Sequence, residues 1–548
     1  MYKILSLNKL QKIMPNATLR DLILQLKRLD DVQLEELNKK YSILNMKLNA
    51  IKGNFQETIS KWINEQEPVA VVADYDVDGV MSAVIWKNFF DSQGTPCEIL
   101  IPNRFTDGYG FGDSMLQKVK KLGIKKVLTC DNGIKSNETI TKANAEGIVT
   151  VVTDHHTPGD ELPNAEVIVN PHCGEQNFIN NRNICGAFVS WILVKEFIND
   201  EKLIKNTLEL VAVATIADVM PLHKENRTLV KWFIARVKNG ENTNIGLDQL
   251  IRAMNLGRKA FNEETIAYSI VPLINAAGRL EDAQISYELF SSNNKEENFN
   301  KILKMAELNA KRKQYTNISV LNSLEQIKKP RDVYCVLLDR CPEGIVGIVA
   351  GKISEKTGKP CFVFTKTNSG IIKGSGRSPI NFNLIQGANN VFLKHPELVK
   401  GYGGHSGAMG LSLNDINCIE SFEKLMIQEY QSTSSTENGL TKYAIEYPEG
   451  LTLEEVYNIL SEFAPFGEGF EEISFYTRSP ISNLQIVKDT HTFFDANLNS
   501  NVEEFCFFHN IVEAKENHTT KNIIFTVNKG IDDKKNVATY QPYVRDLF

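Results

Sequence analysis

The chain has 548 residues, 42% of them hydrophobic, and 61 Lys and Arg against 67 Asp and Glu give a formal net charge of −6. That length suggests three or four domains, and the acidic balance argues against nucleic acid in bulk, although a binding groove can be basic on an acidic protein. Nine cysteines without a CxxC pair suggest neither a zinc ribbon nor a redox motif and fit a reducing cytosol, and neither a signal peptide nor an apolar run of about 18 residues is present to suggest export or a membrane span.

Residues 1–66 are polar, with Leu22, Leu24, Leu26, Leu29, Leu34 and Leu37 in broken amphipathic stripes that predict a small helical prelude. From residue 67 the texture changes. VAVVADYDVDG runs into MSAVIWKNFF, KKVLTCDNGI precedes NETITKANAEG, and IVTVVTDHHT closes a third unit. Strands alternating with helices at this spacing predict a parallel α/β sheet, with the polar clusters at strand C-terminal ends where such sheets place ligands. A basic helical stretch follows at about 295–330, with nine Lys/Arg and four Asp/Glu between residues 301 and 340. It reads as a connector between two lobes, and a solvated helix face explains its charge as well as a DNA contact does. A second α/β pattern runs from VYCVLLD (333–339) to LSLND (411–415), QSTSSTENG (431–439) reads as a polar hinge, and strand-like pieces in 440–548 predict a small β-barrel.

The chemistry lies in four clusters. Asp74, Asp76 and Asp78 stand at alternate positions before Gly79, and acids this close are tolerated when a cation compensates them. A solvated acidic turn would carry the same residues. An EF-hand is excluded because Ile85 falls at loop position 12, where calcium needs a Glu. Asp131 follows VLTC, where a lone acid commonly caps the next turn. Asp154-His155-His156 follows IVTVVT, and both rings reach one site only if the strand ends there. Asp218 closes the apolar run LVAVATIAD, where a charge is costly unless paired or ligated. Carboxylate oxygens with imidazole suit Mn²⁺ or Mg²⁺ better than a thiolate zinc site. A carboxylate-rich pair of ions is the usual device for phosphoester hydrolysis.

DYDVDG, CDNG, DHH and ATIADVMPL resemble, in order, the four motifs of the DHH phosphoesterase superfamily. IPNRFTDGYGF, ICGAFVSW, INAAGRLEDA, EGIVGIVAGKI, GSGRSP, GYGGHSGAMG and APFGEG are similar to segments of its RecJ-like DHH/DHHA1 branch. The resemblance implies an α/β fold: a DHH domain at 67–294 after the 1–66 segment, a connector helix at 295–330, a DHHA1 domain at 331–430 and an OB-like barrel at 440–548. It implies a shell of Asp74, Asp76, Asp78, Asp131, His155 and Asp218 around two Mn²⁺ or Mg²⁺ ions, with Asp131 bridging and His156 orienting a ligand or the leaving group. Some superfamily members carry His at the position of Val72, which leaves the first motif's ligand set open, Asp76 and Asp78 being the firmest.

Arg279 resembles the arginine that holds the scissile phosphate, with a salt bridge to Glu281 as the bland alternative. Arg104, Tyr109, Ser375, Arg377, Gly403, Gly404 and His405 are expected along a nucleic-acid groove. The implied activity is 5′→3′ degradation of single-stranded DNA to mononucleotides in recombination and repair, by a cytoplasmic monomer alongside a helicase or single-strand-binding protein. The alternatives are a phosphodiesterase for short oligonucleotides or cyclic dinucleotides, a pyrophosphatase, and a non-catalytic replication scaffold. Departures fall at Arg340-Cys341-Pro342, where the family often has Trp-His, and at Phe470-Glu471, where Asn-Pro is usual. Phe505, Phe507 and Tyr543 can stack on bases, buried core being the competing reading.

Overall fold

The computed structural model describes residues 2–174, 181–241, 243–254, 258–367, 370–379, 382–433, 442–487, 491–508, 510–532 and 537–548. The N-terminal stretch is divided between two lobes instead of forming a prelude of its own. Strand β1 (Tyr2–Leu5) pairs in parallel with the strand Lys442–Glu446. The helix Leu19–Lys27, opened by a Thr18/Asp21 capping box, buries Leu19, Leu22, Ile23 and Leu24 in one core with Phe463, Phe470 and Ile473. The helix Phe55–Glu65 turns Phe55, Ile59 and Trp62 into the first α/β lobe. Short amphipathic helices bury too little surface to form a core by themselves, so each docks on a larger neighbour.

The first lobe is built on β2 (Val69–Ala73), β3 (Cys97–Leu100), β4 (Lys126–Cys130), β5 (Val149–Thr153) and β6 (Val167–Val169). All pairs are parallel, in the order β3-β2-β4-β5-β6. Chain order reverses between β2 and β4, which makes the crevice above these two strands the favoured ligand position. β2 and β4 are buried along their whole length, as strands covered on both faces must be. Two apolar helices complete the core. Val77–Ser92 is buried for most of its length, and every residue of Gly186–Val194 is buried.

The 32-residue helix Lys295–Gln326 joins the lobes. Ile302 and Met305 belong to the first lobe's core, while Val320, Leu324 and Ile327 pack on the second's. The second sheet comprises β7 (Tyr334–Leu338), β8 (Cys361–Lys366), β9 (Ile372–Arg377), β10 (Val399–Gly404) and β11 (Ala408–Leu413), in the order β10-β11-β9-β8-β7. Only β7–β8 is parallel, so this sheet is mixed where the first is purely parallel. The helix Cys418–Thr433 follows, and residues 434–439 of the expected polar hinge lie outside the described residues.

The C-terminal lobe carries β12 (Lys442–Glu446), β13 (Phe475–Val487), β14 (His491–Leu498), β15 (Asn501–Phe507), β16 (Thr520–Asp532) and β17 (Val537–Leu547). Antiparallel β13–β16 pairing closes the last five into a barrel of order β13-β14-β15-β17-β16, with a parallel β15–β17 contact. That is the connectivity of an OB barrel. Phe505 is buried and stacks on Phe494 at 5.6 Å, Phe507 packs on the same core, and half-buried Tyr543 meets Phe508 edge-on at 4.9 Å. Core packing accounts for the first two.

Candidate metal centre and the facing basic surface

The strand register delivers the acids together. Ala73, Cys130 and Thr153 are aligned across β2, β4 and β5, so Asp74, Asp131 and Asp154 leave the sheet side by side. Asp131 adopts φ +60° and its N–H still donates to Thr153 at 3.1 Å, turning the chain as it leaves the sheet. Two close approaches by glycine make room for these acids. A Cβ on Gly79 would lie 2.4 Å from the Asp74 carbonyl oxygen, and one on Gly186 would lie 2.7 Å from Asp131 Cβ.

Helix termini fix the other acids. Asp76 caps the helix Val77–Ser92, accepting from the N–H groups of Asp78 (3.0 Å) and Gly79 (3.2 Å). Asp78 accepts from the N–H groups of Gly186 (2.6 Å) and Ala187 (2.7 Å), at the start of the next core helix. Asp218 is the C-cap residue of the helix Glu201–Ala217.

These groups meet in three overlapping triads: Asp74, Asp76 and Asp131; Asp131, His155 and His156; and Asp78, His155 and Asp218. The potential ligand atoms of each triad lie within 4.8 Å of one another. All seven residues expected from the sequence are therefore brought to one place, and the three acids of the first motif divide between two triads. His155 Nε2 stands 3.1 Å from Asp131 Oδ1, 3.6 Å from Asp78 Oδ2 and 3.5 Å from Asp218 Oδ2.

The electrostatics call for cations. Burial drives the Asp74 and Asp131 carboxyls well above the ordinary range, and neighbouring carboxylates add to it. Burial and the Asp78 and Asp76 charges push Asp218 up to about 8. Burial also lowers His155, keeping its ring neutral and its lone pair available. Asp74 Oδ1, Asp131 Oδ1 and His155 Nε2 are buried without a hydrogen-bond partner. Unsatisfied acceptors packed this closely are costly unless a cation satisfies them, so the donor set fits hard divalent ions.

Asp154, the first residue of the DHH triplet, does something else. Its Oδ1 accepts from the N–H groups of His155 (2.7 Å) and His156 (3.1 Å) and lies 2.8 Å from His156 Nδ1, while Oδ2 accepts from Ile134 N–H. Burial presses its carboxyl upward, but the His156 bond and both imidazoles outweigh this and hold it at about 2. For His156, burial acts downward, and Asp154 with the surrounding carboxylates lifts it to about 9. This orienting role was missed from sequence, although an acid two residues before a histidine at a strand end was visible.

Across the cleft the charge reverses. Arg279 ends the helix Val271–Leu280 and donates to the Gly344 carbonyl at 3.1 Å, while Glu281 pairs with Lys304 and leaves Arg279 to the cleft. Burial, together with Arg104, Arg312 and Arg377, lowers Arg279 to about 10. Arg377 donates to Ser375 Oγ at 2.9 Å, and Arg104 lies over the Tyr75 ring at 4.2 Å. No described carboxylate lies within 4.0 Å of the guanidinium of any of these four arginines. Tyr109 is exposed, its hydroxyl 3.4 Å from His156 Nε2. His405, in the turn after Gly403 and Gly404, feels the charges of both Arg377 and His156. Gly404 needs to be glycine, since at φ +149° a Cβ would sit 2.4 Å from the Ala408 carbonyl oxygen; nothing lies within 4 Å of a Cβ on Gly403. Arg312 was not foreseen, and only its place in the run Lys311–Lys313 of the connector helix hints at it.

Residues 68–215 match the DHH family N-terminal domain, and residues 332–432 match the DHHA1 domain. The chain thus carries a DHH domain followed by a DHHA1 domain, and every member of the three triads except Asp218 lies within the residues matched to the first. Its curated relatives are RecJ exonucleases, which it resembles over most of its length. It is 28% identical over 484 residues to the single-stranded-DNA-specific exonuclease RecJ of Dickeya dadantii, covering 84% of this chain and 83% of that protein. It is 28% identical over 459 residues to the protein of the same name in Escherichia coli, covering 79% of each. Among solved structures, RecJ of Thermus thermophilus in complex with Mn²⁺ superposes with a TM-score of 0.75 at 22% identity, over 96% of this chain and 75% of that one, a likeness of fold. Exonuclease RecJ bound to manganese gives 0.59 at 25% identity, over 73% and 97%. No helix among the described residues is long and apolar enough to cross a membrane.

Proposed function

We propose that this chain is a metal-dependent exonuclease that degrades single-stranded DNA from the 5′ end to mononucleotides, in DNA recombination and repair. One observation carries the reading: three Asp/His triads with orphaned ligand atoms face a group of arginines that lack carboxylate partners. Hydrolysis of a phosphodiester uses both. Asp74, Asp76, Asp78, Asp131, His155 and Asp218 would hold two Mn²⁺ or Mg²⁺ ions, Asp131 serving both. When bound, these ions supply an activated water and neutralise charge on the phosphoryl oxygens.

The chain's own residues do the rest. Arg279 presents a planar, permanently charged fork to the scissile phosphate and stabilises the charge that grows there. Arg377, Ser375 and Arg104 fix a neighbouring phosphate and so set the register of the strand. The Gly403-Gly404-His405 turn lets backbone N–H groups approach it. Tyr109, exposed beside the triads, offers its face to a terminal base. His156, whose Nδ1 is held 2.8 Å from Asp154 Oδ1, presents Nε2 as a proton donor for the leaving oxygen. The similarity of the RecJ exonucleases over about four-fifths of the chain supports the substrate class. A cytoplasmic monomer working beside a helicase or single-strand-binding protein fits the same reading.

The test is digestion of one oligonucleotide labelled at either end, with Mn²⁺ present. Immediate release of labelled mononucleotide from the 5′-labelled strand alone is expected. Activity restricted to dinucleotides would point to a short-oligonucleotide phosphodiesterase. A protein that binds the strand without cutting it would be a scaffold.

A further inference from the structure

The segment that follows Asp218 is unusually taut. Asp218 closes its helix in a Schellman arrangement, with Val219 N–H donating to Ile216 (3.3 Å) and Met220 N–H to Thr215 (3.0 Å). The left-handed position of that motif normally holds glycine. Here it is Val219, at φ +53° and 61% exposed. A β-branched side chain is strained in this region, and so much exposure leaves little packing to offset the strain. Five residues on, Lys224 is left-handed too, at φ +45°. Strain of this kind persists only where the surroundings over-determine the backbone.

The surroundings in question belong to the C-terminal lobe. Leu222 N–H donates to the Glu468 carbonyl at 2.9 Å. Buried Arg227 donates to the carbonyls of Phe463 (2.5 Å), Ala464 (2.9 Å) and Pro465 (2.6 Å), and its guanidinium lies over the Phe470 ring at 5.0 Å. Glu263 accepts from Phe466 N–H at 2.7 Å. A Cβ on Gly467 would lie 2.8 Å from Leu222 Cδ1, and one on Gly469 would lie 2.7 Å from His223 Nε2. Beside this clasp the seam opens into a crevice of about 900 Å³ bordered by Val219, Tyr268 and Phe466. The segment 463–470 thus grips the chain four residues beyond Asp218.

We infer that the segment 463–470 of the C-terminal lobe, acting through Arg227 and Leu222, is a positioning element for Asp218. The inference rests on Asp218 being a metal ligand, as proposed above. It assigns APFGEG a task at the metal centre: the segment touches neither substrate nor ion, yet fixes where one carboxylate can stand.

Gly467→Ala tests this, because the added methyl pushes on Leu222 alone. Three measurements are made on the full chain: Mn²⁺ titration by calorimetry, melting without metal, and steady-state hydrolysis of a 5′-labelled strand. Mn²⁺ affinity is expected to fall about 10–100-fold, the loss typical of groups that support a ligand. Melting of the metal-free protein should stay within a few degrees of the parent, with KM for DNA unchanged and kcat recovering as Mn²⁺ is raised. The double variant Leu222→Ala/Gly467→Ala, with room for the methyl, should regain the affinity. A folded Gly467→Ala protein with parental Mn²⁺ affinity overturns the inference. So does a loss that the double variant fails to relieve. If Gly467→Ala does not fold, Arg227→Lys, which cannot span three carbonyls, replaces it, and a folded Arg227→Lys protein with parental Mn²⁺ affinity overturns the inference. A parent protein that binds no Mn²⁺ would instead sink the metal assignment itself.

Discussion

The two α/β lobes use similar elements to opposite electrostatic ends. In the first, a parallel sheet buried on both faces ends β2, β4 and β5 in carboxylates at its switch point, where burial holds Asp74 and Asp131 far above their ordinary range. In the second, a mixed sheet sets Ser375 and Arg377 on β9, beside the turn that carries His405. The arginines that face the carboxylates come from both lobes and the connector: Arg104 and Arg279 from the first, Arg312 from the long helix and Arg377 from the second. A phosphodiester with divalent ions completes both sets of charges, so the cleft is better understood as one half-neutralised site than as two separate ones.

That contrast can be broken from either side. Asp131→Asn keeps the shape but removes the charge shared by two triads. Hydrolysis should fall to the level of the metal-free protein while single-strand binding, measured by fluorescence anisotropy, stays within a few-fold. Full activity in this variant would end the metal assignment. Two arginines, one from each lobe, should divide the labour. Arg279→Lys replaces a fork with a point charge at the reacting phosphate and should lower kcat by about a hundredfold. Arg377→Lys, acting on a neighbouring phosphate, should raise KM by roughly tenfold with kcat little changed, a difference of about 1.4 kcal/mol in binding. Equal effects of the two substitutions on kcat would mean that the arginines are not assigned to different phosphates.

The smallest effect lies away from the triads, at the seam between the first and C-terminal lobes, where Arg545 bridges Glu264 and Glu472 at 2.7 and 2.6 Å. Burial and the Glu264 charge, opposed by Arg545, lift Glu472 to about 7. A carboxyl raised in the folded state contributes stability below its unfolded value, near 4.5, and loses it as the pH climbs through 7. In saturating Mn²⁺, melting temperature should therefore fall between pH 5 and pH 8 in the parent and fall less in Glu472→Gln. Parallel profiles would refute the shift.

Much of this was legible in the sequence because strands that end in acids announce themselves: VAVVAD, VLTCD and VVTDHH each switch from apolar run to carboxylate in one residue. Spacing alone could not say which acid joins which triad. That depends on the left-handed turn at Asp131 and on the Gly186 and Ala187 N–H groups that hold Asp78. Arg312 was hidden because one arginine in a basic helix looks like any solvated cation until the fold turns it inward. The grip of 463–470 on the segment after Asp218 was equally invisible. It joins residues more than two hundred positions apart through backbone carbonyls, which carry no residue type to recognise.

The parallel pairing of β1 with β12 has a bearing on how the molecule assembles. During synthesis strand β1 must wait, without its neighbour, until residues 442–445 have been made, on the order of half a minute at ordinary elongation speeds. The parallel sheet of the first lobe can close in that interval, whereas the barrel and the opening strand join last. A nascent chain halted before residue 442 would leave an apolar ribbon and its companion helix undocked, a ready target for chaperones.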